Sequence, residues 1–253
     1  MRHLAKISST LILFITFFLG VTVFGSNAND ILKKARQQLD SKGDQARVAL
    51  KIIEPNGDVK VREMSLQIMR TKDGFKSMIR MISPADVKDT ALLAQMEDGK
   101  DQSWLYLPST KQVRRITSGK KNTGILGSEL STEDLDPMAF SGAGVTLEKE
   151  TPTNAVIGVK LKKGVSEYTK VLATFSMPDA LPRKTEYYKG AQLAKTVEYL
   201  NYKTFPGNIQ RAQSIKIMNV LKKRGTNIDF SQMQVNPKLA AKDFTPDALK
   251  ENW

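Results

Sequence analysis

Two adjacent arginines, Arg114 and Arg115, and three close acids, Glu133, Asp134 and Asp136, are the residues here whose types and spacing invite a chemical reading. Neighbours on a strand point to opposite faces, so one of the two guanidiniums must face the inner side of the sheet or its rim. There it can hold an anionic head group or an acidic partner, or its stem can simply pack along the sheet. The acids could pair with that cation across the rim. As an acid–base couple they are poorly equipped, because no nucleophile or metal scaffold accompanies them. The single histidine is His3, and there is no cysteine. Beyond residue 28 the chain therefore cannot build the usual zinc, copper or iron–sulfur sites, nor Ser-His-Asp or Cys-His catalysis. No enzymatic activity and no cofactor are expected.

The first 28 residues stand apart from whatever fold carries these groups. Arg2, His3 and Lys6 precede an apolar run from Leu11 to Phe24, and Ser26 and Ala28 occupy the positions of a small-x-small cleavage site. This reads as a secretory signal peptide cut after Ala28. The run is shorter than the ~20 residues that span a bilayer, and no cysteine follows that could take a lipid anchor. The expected product is a soluble exported protein. Taking 28 from 253 residues leaves 225, and losing Arg2 and Lys6 lowers the formal charge from +13 to +11. One domain over residues 29–253 suits that length, with a core large enough to hold without disulfides. The cations are spread along the chain. Clusters such as Lys120-Lys121 and Lys222-Lys223-Arg224 do not interleave with stacking aromatics, so nucleic acid is not an expected partner. Solvated strand faces, or an anionic lipid or membrane-protein surface, account for the charge.

Periodicity supplies the layout. Asn29 or Asp30 can cap a helix reaching about Lys42, with Ile31, Leu32, Ala35 and Leu39 on one stripe and Gly43 as its stop. From Gln45 the period becomes two. Runs at 47–54 and 59–70 flank an Asn56-Gly57 hairpin turn. In the second run Val59 and Val61 share a face while Met64, Leu66 and Ile68 are shifted by one residue, which a bulge near Glu63 would reconcile. Further alternating runs bring the count to roughly ten antiparallel strands joined by short hairpins, a meander long enough that it must curl. Thr245 and Pro246 open a short terminal helix in which Phe244 can pack on Leu249. Lysine and arginine stand opposite the apolar faces, unlike the pattern of an outer-membrane barrel, so the apolar side points inward. A curled sheet with an apolar hollow, one long helix and a loop makes a container.

Residues 101–136 would form its rim and lid. Trp104 and Tyr106 share one strand face, Leu105 and Leu107 the other. Ser118–Leu130 holds three glycines, two lysines and the pair Ile125-Leu126. A flap inserting that pair into an empty cavity would use the freedom of glycine and hide the apolar side chains. Ser131 followed by Asp134 reads as a capped turn.

Residues 84–116, PADVKDTALLAQMEDGKDQSWLYLPSTKQVRRI, with LGSELSTEDL at 126–135, resemble the LolA-like outer-membrane lipoprotein-sorting proteins. Within them the run resembles the branch encoded beside RND-type (MMPL) exporters. The matching positions are Pro84, Asp86, Lys88, Thr90, Trp104, Tyr106, Pro108, Lys111, Arg114, Arg115, Gly127, Ser128, Glu133 and Asp134. Ile125-Leu126 replaces the usual Phe-Met, Glu129 stands for Asp, and Thr132 for an aromatic. The resemblance implies a mainly β (α+β) fold: a strongly curved antiparallel sheet in an incomplete barrel, with a long amino-terminal helix and short lid helices. It implies a periplasmic, monomeric carrier that binds acyl chains of a lipid or lipoprotein in an apolar cavity for transfer towards the outer membrane. Trp104, Tyr106, Leu107, Arg114, Arg115, Ile125, Leu126, Glu133 and Asp134 are the candidate cavity, rim and lid residues. The implied partners are those acyl chains, a transient membrane surface and an RND/MMPL-type exporter of the inner membrane. A non-catalytic accessory protein of such an exporter is the rival reading.

Overall fold

The computed structural model describes residues 27–72, 74–97, 100–116, 124, 127–131, 134, 144–161 and 166–251. It opens with helix α1, Ala28–Leu39. Asn27 caps it, its side-chain oxygen accepting from the Asn29 N–H at 3.0 Å, and Ile31, Leu32 and Ala35 bury the expected stripe. The cap lies two residues earlier than Asn29, and the helix ends before Lys42. Gly43 is therefore no helix stop: it opens the first strand, where a Cβ would overlap the Ile68 carbonyl oxygen.

Among the described residues thirteen antiparallel strands follow. β1 (Gly43–Ile53), β2 (Val59–Thr71), β3 (Gly74–Ser83), β4 (Ala91–Glu97), β5 (Lys100–Leu107) and β6 (Gln112–Ile116) form one meander. β7 (Val145–Glu150), β8 (Asn154–Lys160), β9 (Lys170–Ser176), β10 (Leu181–Lys189), β11 (Gln192–Phe205), β12 (Ile209–Asn219) and β13 (Arg224–Val235) form a second. The two join where β1 pairs with β13, so the first and last strands meet mid-sheet and β6 and β7 become its edges. The expected single meander is thus two. The strand that periodicity does not reveal is β7, an edge strand mostly exposed, with only Val145 and Leu147 half-buried.

Thirteen strands exceed the ~10 that a twisted open sheet carries without curling. Helix α1, ~18 Å long, touches β7, β10 and β12, whereas β7 and β12 would stand ~24 Å apart in a flat sheet. The sheet curls around the helix. Its concave face is the main core, with Val48, Leu50 and Ile52 of β1, Met64, Leu66 and Ile68 of β2, and residues from β8 to β13 in one cluster. On the convex face Met78 and Leu93 pack under Phe244 and Leu249, because the carboxyl-terminal segment, with 3-10 turns Ala241–Asp243 and Asp247–Lys250, covers β4–β6. The Thr245 hydroxyl accepts from the Ala248 N–H at 3.3 Å and Phe244 and Leu249 are buried in one cluster, but the turn is 3-10 and Pro246, not Thr245, is its cap residue. Arg80 reaches this layer too. It is 6% exposed and donates to the carbonyls of Leu249, at 2.8 Å, and Glu251.

The bulge expected in β2 near Glu63 is absent: the β1–β2 register runs unbroken, and the extra residue of the β2–β3 pairing, where Glu63 faces Ser83 and Met64 faces Met81, is Ile82 of β3. Val59 and Val61 consequently end on the convex face, 55% and 50% exposed.

Candidate functional site

Between α1 and the concave face lies a cavity of about 250 Å3. β1 and β2 supply Ala46, Leu66 and Ile68 by plain alternation. The other strands line it through breaks in phase. Asn201 takes a left-handed φ of 56°, and Tyr199 and Tyr202, three residues apart, both face the hollow. Their partners on β12, Ile215 and Ala212, do the same. On β13 the register shifts opposite Gln45/Arg47, Gln232 sits at φ 50°, and Phe230 and Met233 both reach the cavity. The Tyr202 hydroxyl donates to the Pro182 carbonyl at 2.6 Å, and burial pushes its pKa up, so the phenol stays neutral.

The mouth is charged. Asp44 and Arg70 lie one step beyond Ala46 and Ile68 on the same inward faces. Arg70 Nη1 donates to Asp44 Oδ2 at 2.7 Å and to Ser41 Oγ at 2.7 Å. Arg211 Nε donates to Asp44 Oδ1 at 3.1 Å, its Nη2 to Ser41 Oγ at 2.6 Å, and its Nη1 to the Gln210 carbonyl at 2.8 Å. Burial draws the Arg211 pKa down, and the Asp44 carboxylate opposes that pull. Arg36 and Asp40 of the α1 end complete the rim.

Residues Gly127–Ser131 and Asp134 lie against the core at the other end of the strands, near Lys195, Asn219, Arg224 and Thr226. Leu130 is buried in the main cluster. The Glu129 carboxylate accepts from Asn219 Nδ2 at 2.7 Å and Arg224 Nη1 at 3.1 Å, and its backbone N–H donates to Thr226 Oγ1 at 3.0 Å. Arg224 also forks Glu54 at 2.7 and 3.0 Å, which with Lys60 holds the Glu54 carboxyl at about 2, well below its ordinary 4.5. Asp134 is 0% exposed. It forms an ion pair with Lys195 of β11 and accepts from the Tyr187 hydroxyl at 3.2 Å, the Ser131 N–H at 2.7 Å and the Ser131 hydroxyl at 2.9 Å. Its partner is thus a cation on the second meander, not Arg114 or Arg115.

The other candidates from the sequence are placed as follows. Trp104 shares the convex-face row of Met78 and Leu93, and Tyr106 pairs with Ala91; both pack under the carboxyl-terminal turns. Arg115 stands on that face with its guanidinium carbon 5.9 Å from the Trp104 ring centre. Arg114 shares the concave-face row of Ile79, Leu92 and Leu105, as an exposed residue of edge strand β6. Leu107 alternates with Leu105 onto the concave side. None of these lines the 250 Å3 cavity. Ile125, Leu126 and Glu133 lie outside the described residues. Of the residues that do line the mouth, Asp44 and Arg70 were open to the same parity argument that assigns Leu66 and Ile68; Arg211, next to the inward-facing Ala212 and past the break in phase, was not. Among the described residues no His, Cys, Asp and Glu group could hold a metal, and no helix is long and apolar enough to cross a membrane.

Residues 73–251 match the model of a family described as an uncharacterized protein family. A solved domain from Vibrio parahaemolyticus, assigned as an outer membrane lipoprotein-sorting protein, superposes with a TM-score of 0.79 and 26% identity over 88% of this chain and 98% of that one. The chain belongs to the LolA-like family. A DUF1329 family protein from Desulfovibrio piger (TM-score 0.78, 23% identity, 87% and 97% covered) shares the fold. So does a LolA superfamily protein from Nitrosomonas europaea (TM-score 0.66, 22% identity, 88% and 100% covered). No curated protein matches the chain.

Proposed function

We propose that this LolA-like protein is a periplasmic, non-catalytic carrier, exported by the signal peptide of residues 1–28, that shelters acyl chains of a lipid or lipoprotein on their way towards the outer membrane. The observation that carries this reading is the apolar hollow under α1, walled by Leu66, Ile68, Ile215 and Phe230 and open at a charged mouth. Its 250 Å3 falls just below the ~300–1,000 Å3 of small-molecule sites. A methylene is about as large as the ~30 Å3 share of a liquid water, so the hollow takes about eight. At ~0.8 kcal/mol each they contribute ~6 kcal/mol, and a membrane offers the same per methylene. Transfer is then nearly balanced, and direction must come from a donor machine or a tighter acceptor. Longer chains need the helix or the Leu130 segment to withdraw, which makes these two the lid.

A surface suited to transient membrane contact lies at the end of the sheet away from the mouth. The hairpin tips β1–β2 and β12–β13 sit side by side at one end of the sheet. Across them Val59 pairs with Ile53, Ile53 with Gly225, and Gly225 with Met218, while Val220 and Leu221 are exposed beyond. Lys51, Lys216, Lys222 and Lys223 surround this apolar row, a pattern complementary to an anionic bilayer.

The burial of Leu130 in the core favours one second reading, an accessory protein of an RND/MMPL-type exporter whose hollow is filled by its own side chains. Titration with a fluorescent fatty acid separates the two. Saturable uptake, displaced by an unlabelled acyl chain, supports the carrier; no uptake supports the accessory.

A further inference from the structure

We infer that the cavity mouth is an anion site in which Arg70, braced by Asp44 and Arg211, takes the carboxylate or phosphate head of a single-chain amphiphile whose tail lies in the hollow. This rests on the carrier reading and narrows its cargo. Three observations lead to it. Arg70 lies on the inward face directly after Leu66 and Ile68, so a head group on its guanidinium leaves the tail against those side chains. Arg70 and Arg211 share the single carboxylate of Asp44, two positive charges on one negative beside apolar walls. The third is the division of labour between two guanidiniums. All three nitrogens of Arg211 are engaged, on Asp44, Ser41 and Gln210. Arg70 uses only Nη1, on Ser41 and Asp44. Among the described residues no group partners its Nε and Nη2, the edge that forks a carboxylate or phosphate. With its side chain 33% exposed, Arg70 meets both the hollow and solvent. Ser41, Asp44 and Arg211 thus orient one guanidinium and leave its fork open. A neutral head group would give that fork nothing that water does not.

The test is calorimetric titration of the delipidated protein at pH 8, below micellar concentrations, with dodecanoate, dodecyl phosphate, dodecanol and inorganic phosphate. A hydrogen-bonded charge pair predicts that both anionic amphiphiles bind about tenfold or more tightly than the alcohol. Arg70→Gln should weaken the anionic amphiphiles more than the alcohol and close the gap between them, while Arg70→Lys, which keeps the charge without the fork, should fall between. Equal wild-type affinities for acid and alcohol overturn the inference and leave the carrier reading standing, and this comparison needs no variant. Equal weakening of acid and alcohol by Arg70→Gln also overturns it. Inorganic phosphate binding as tightly as dodecyl phosphate would make the site one for a free anion and overturn the amphiphile assignment. If no tailed compound binds, the carrier reading itself falls.

Discussion

Replacing Lys195 by methionine removes the charge that holds Asp134, and with it the Leu130 segment, against the core. Methionine keeps the apolar stem of lysine, so the change is chiefly electrostatic. Both members of the pair are buried, with side chains 6% and 0% exposed. Without Lys195 the carboxylate retains the Tyr187 hydroxyl and the two Ser131 donors, none of them charged. Breaking a buried pair on one side costs ~3–5 kcal/mol. For a chain of this size each kcal/mol lowers Tm by ~2–4 °C, so the drop should be about 6–20 °C. Adding Asp134→Asn removes the orphaned charge, its single amide oxygen accepting from Ser131 while its NH2 donates to the Tyr187 hydroxyl oxygen, and should recover part of the loss. Thermal and urea unfolding followed by circular dichroism read both effects. Uptake of a fluorescent fatty acid should quicken in Lys195→Met, because the segment is freed. A cost below ~1 kcal/mol, as for an exposed pair, would refute the lock. So would a double variant no more stable than the single one.

Two further outcomes follow from the same contacts. The folded-state pKa of Glu54, about 2, lies below its ordinary 4.5, so its contribution to stability is present above about 4.5 and lost as pH falls towards 2. Acid unfolding of Glu54→Gln should therefore lack part of the slope seen between those values in the wild type, and identical profiles would contradict the Arg224 and Lys60 pairing. Met218→Asp combined with Leu221→Asp should abolish co-sedimentation with phosphatidylglycerol vesicles, and wild-type binding should weaken as salt shortens the Debye length below the ~10 Å of 0.1 M. Equal binding to neutral vesicles would argue against the charged apolar row.

Much of the sheet is legible in the sequence because alternation fixes which residues share a face. Leu66 and Ile68, or Trp104 and Tyr106, pair off by parity alone. Parity does not say which face is the hollow. For Trp104 the answer depends on Phe244 and Leu249, which arrive from more than a hundred residues away to cover the convex side. The pairing of β1 with β13 is equally non-local. Local irregularities hid the cavity wall: at Asn201 and Gln232 left-handed backbone resets the phase, so Tyr202 and Met233 turn inward where strict alternation would send them out. The mouth was within reach. Carrying the alternation two residues past Ala46 and Ile68 places Asp44 and Arg70 inside, and a charged pair on an apolar face is the signal. The helix stripe and the Phe244–Leu249 contact were readable because each depends on neighbours in sequence, whereas the phase change at Glu63 marks no bulge in β2 but two valines left on the convex face.

Mass spectrometry of organic extracts from protein purified without detergent tests the hollow most directly, with Ala212→Phe as the comparison, since Ala212 lines the cavity and a phenyl ring there would fill it. A carrier should yield acyl lipid in stoichiometric amount from the wild type and lose it in a variant that still folds. A wild type free of lipid, or lipid retained equally by Ala212→Phe, would mean that this cavity carries no acyl chain.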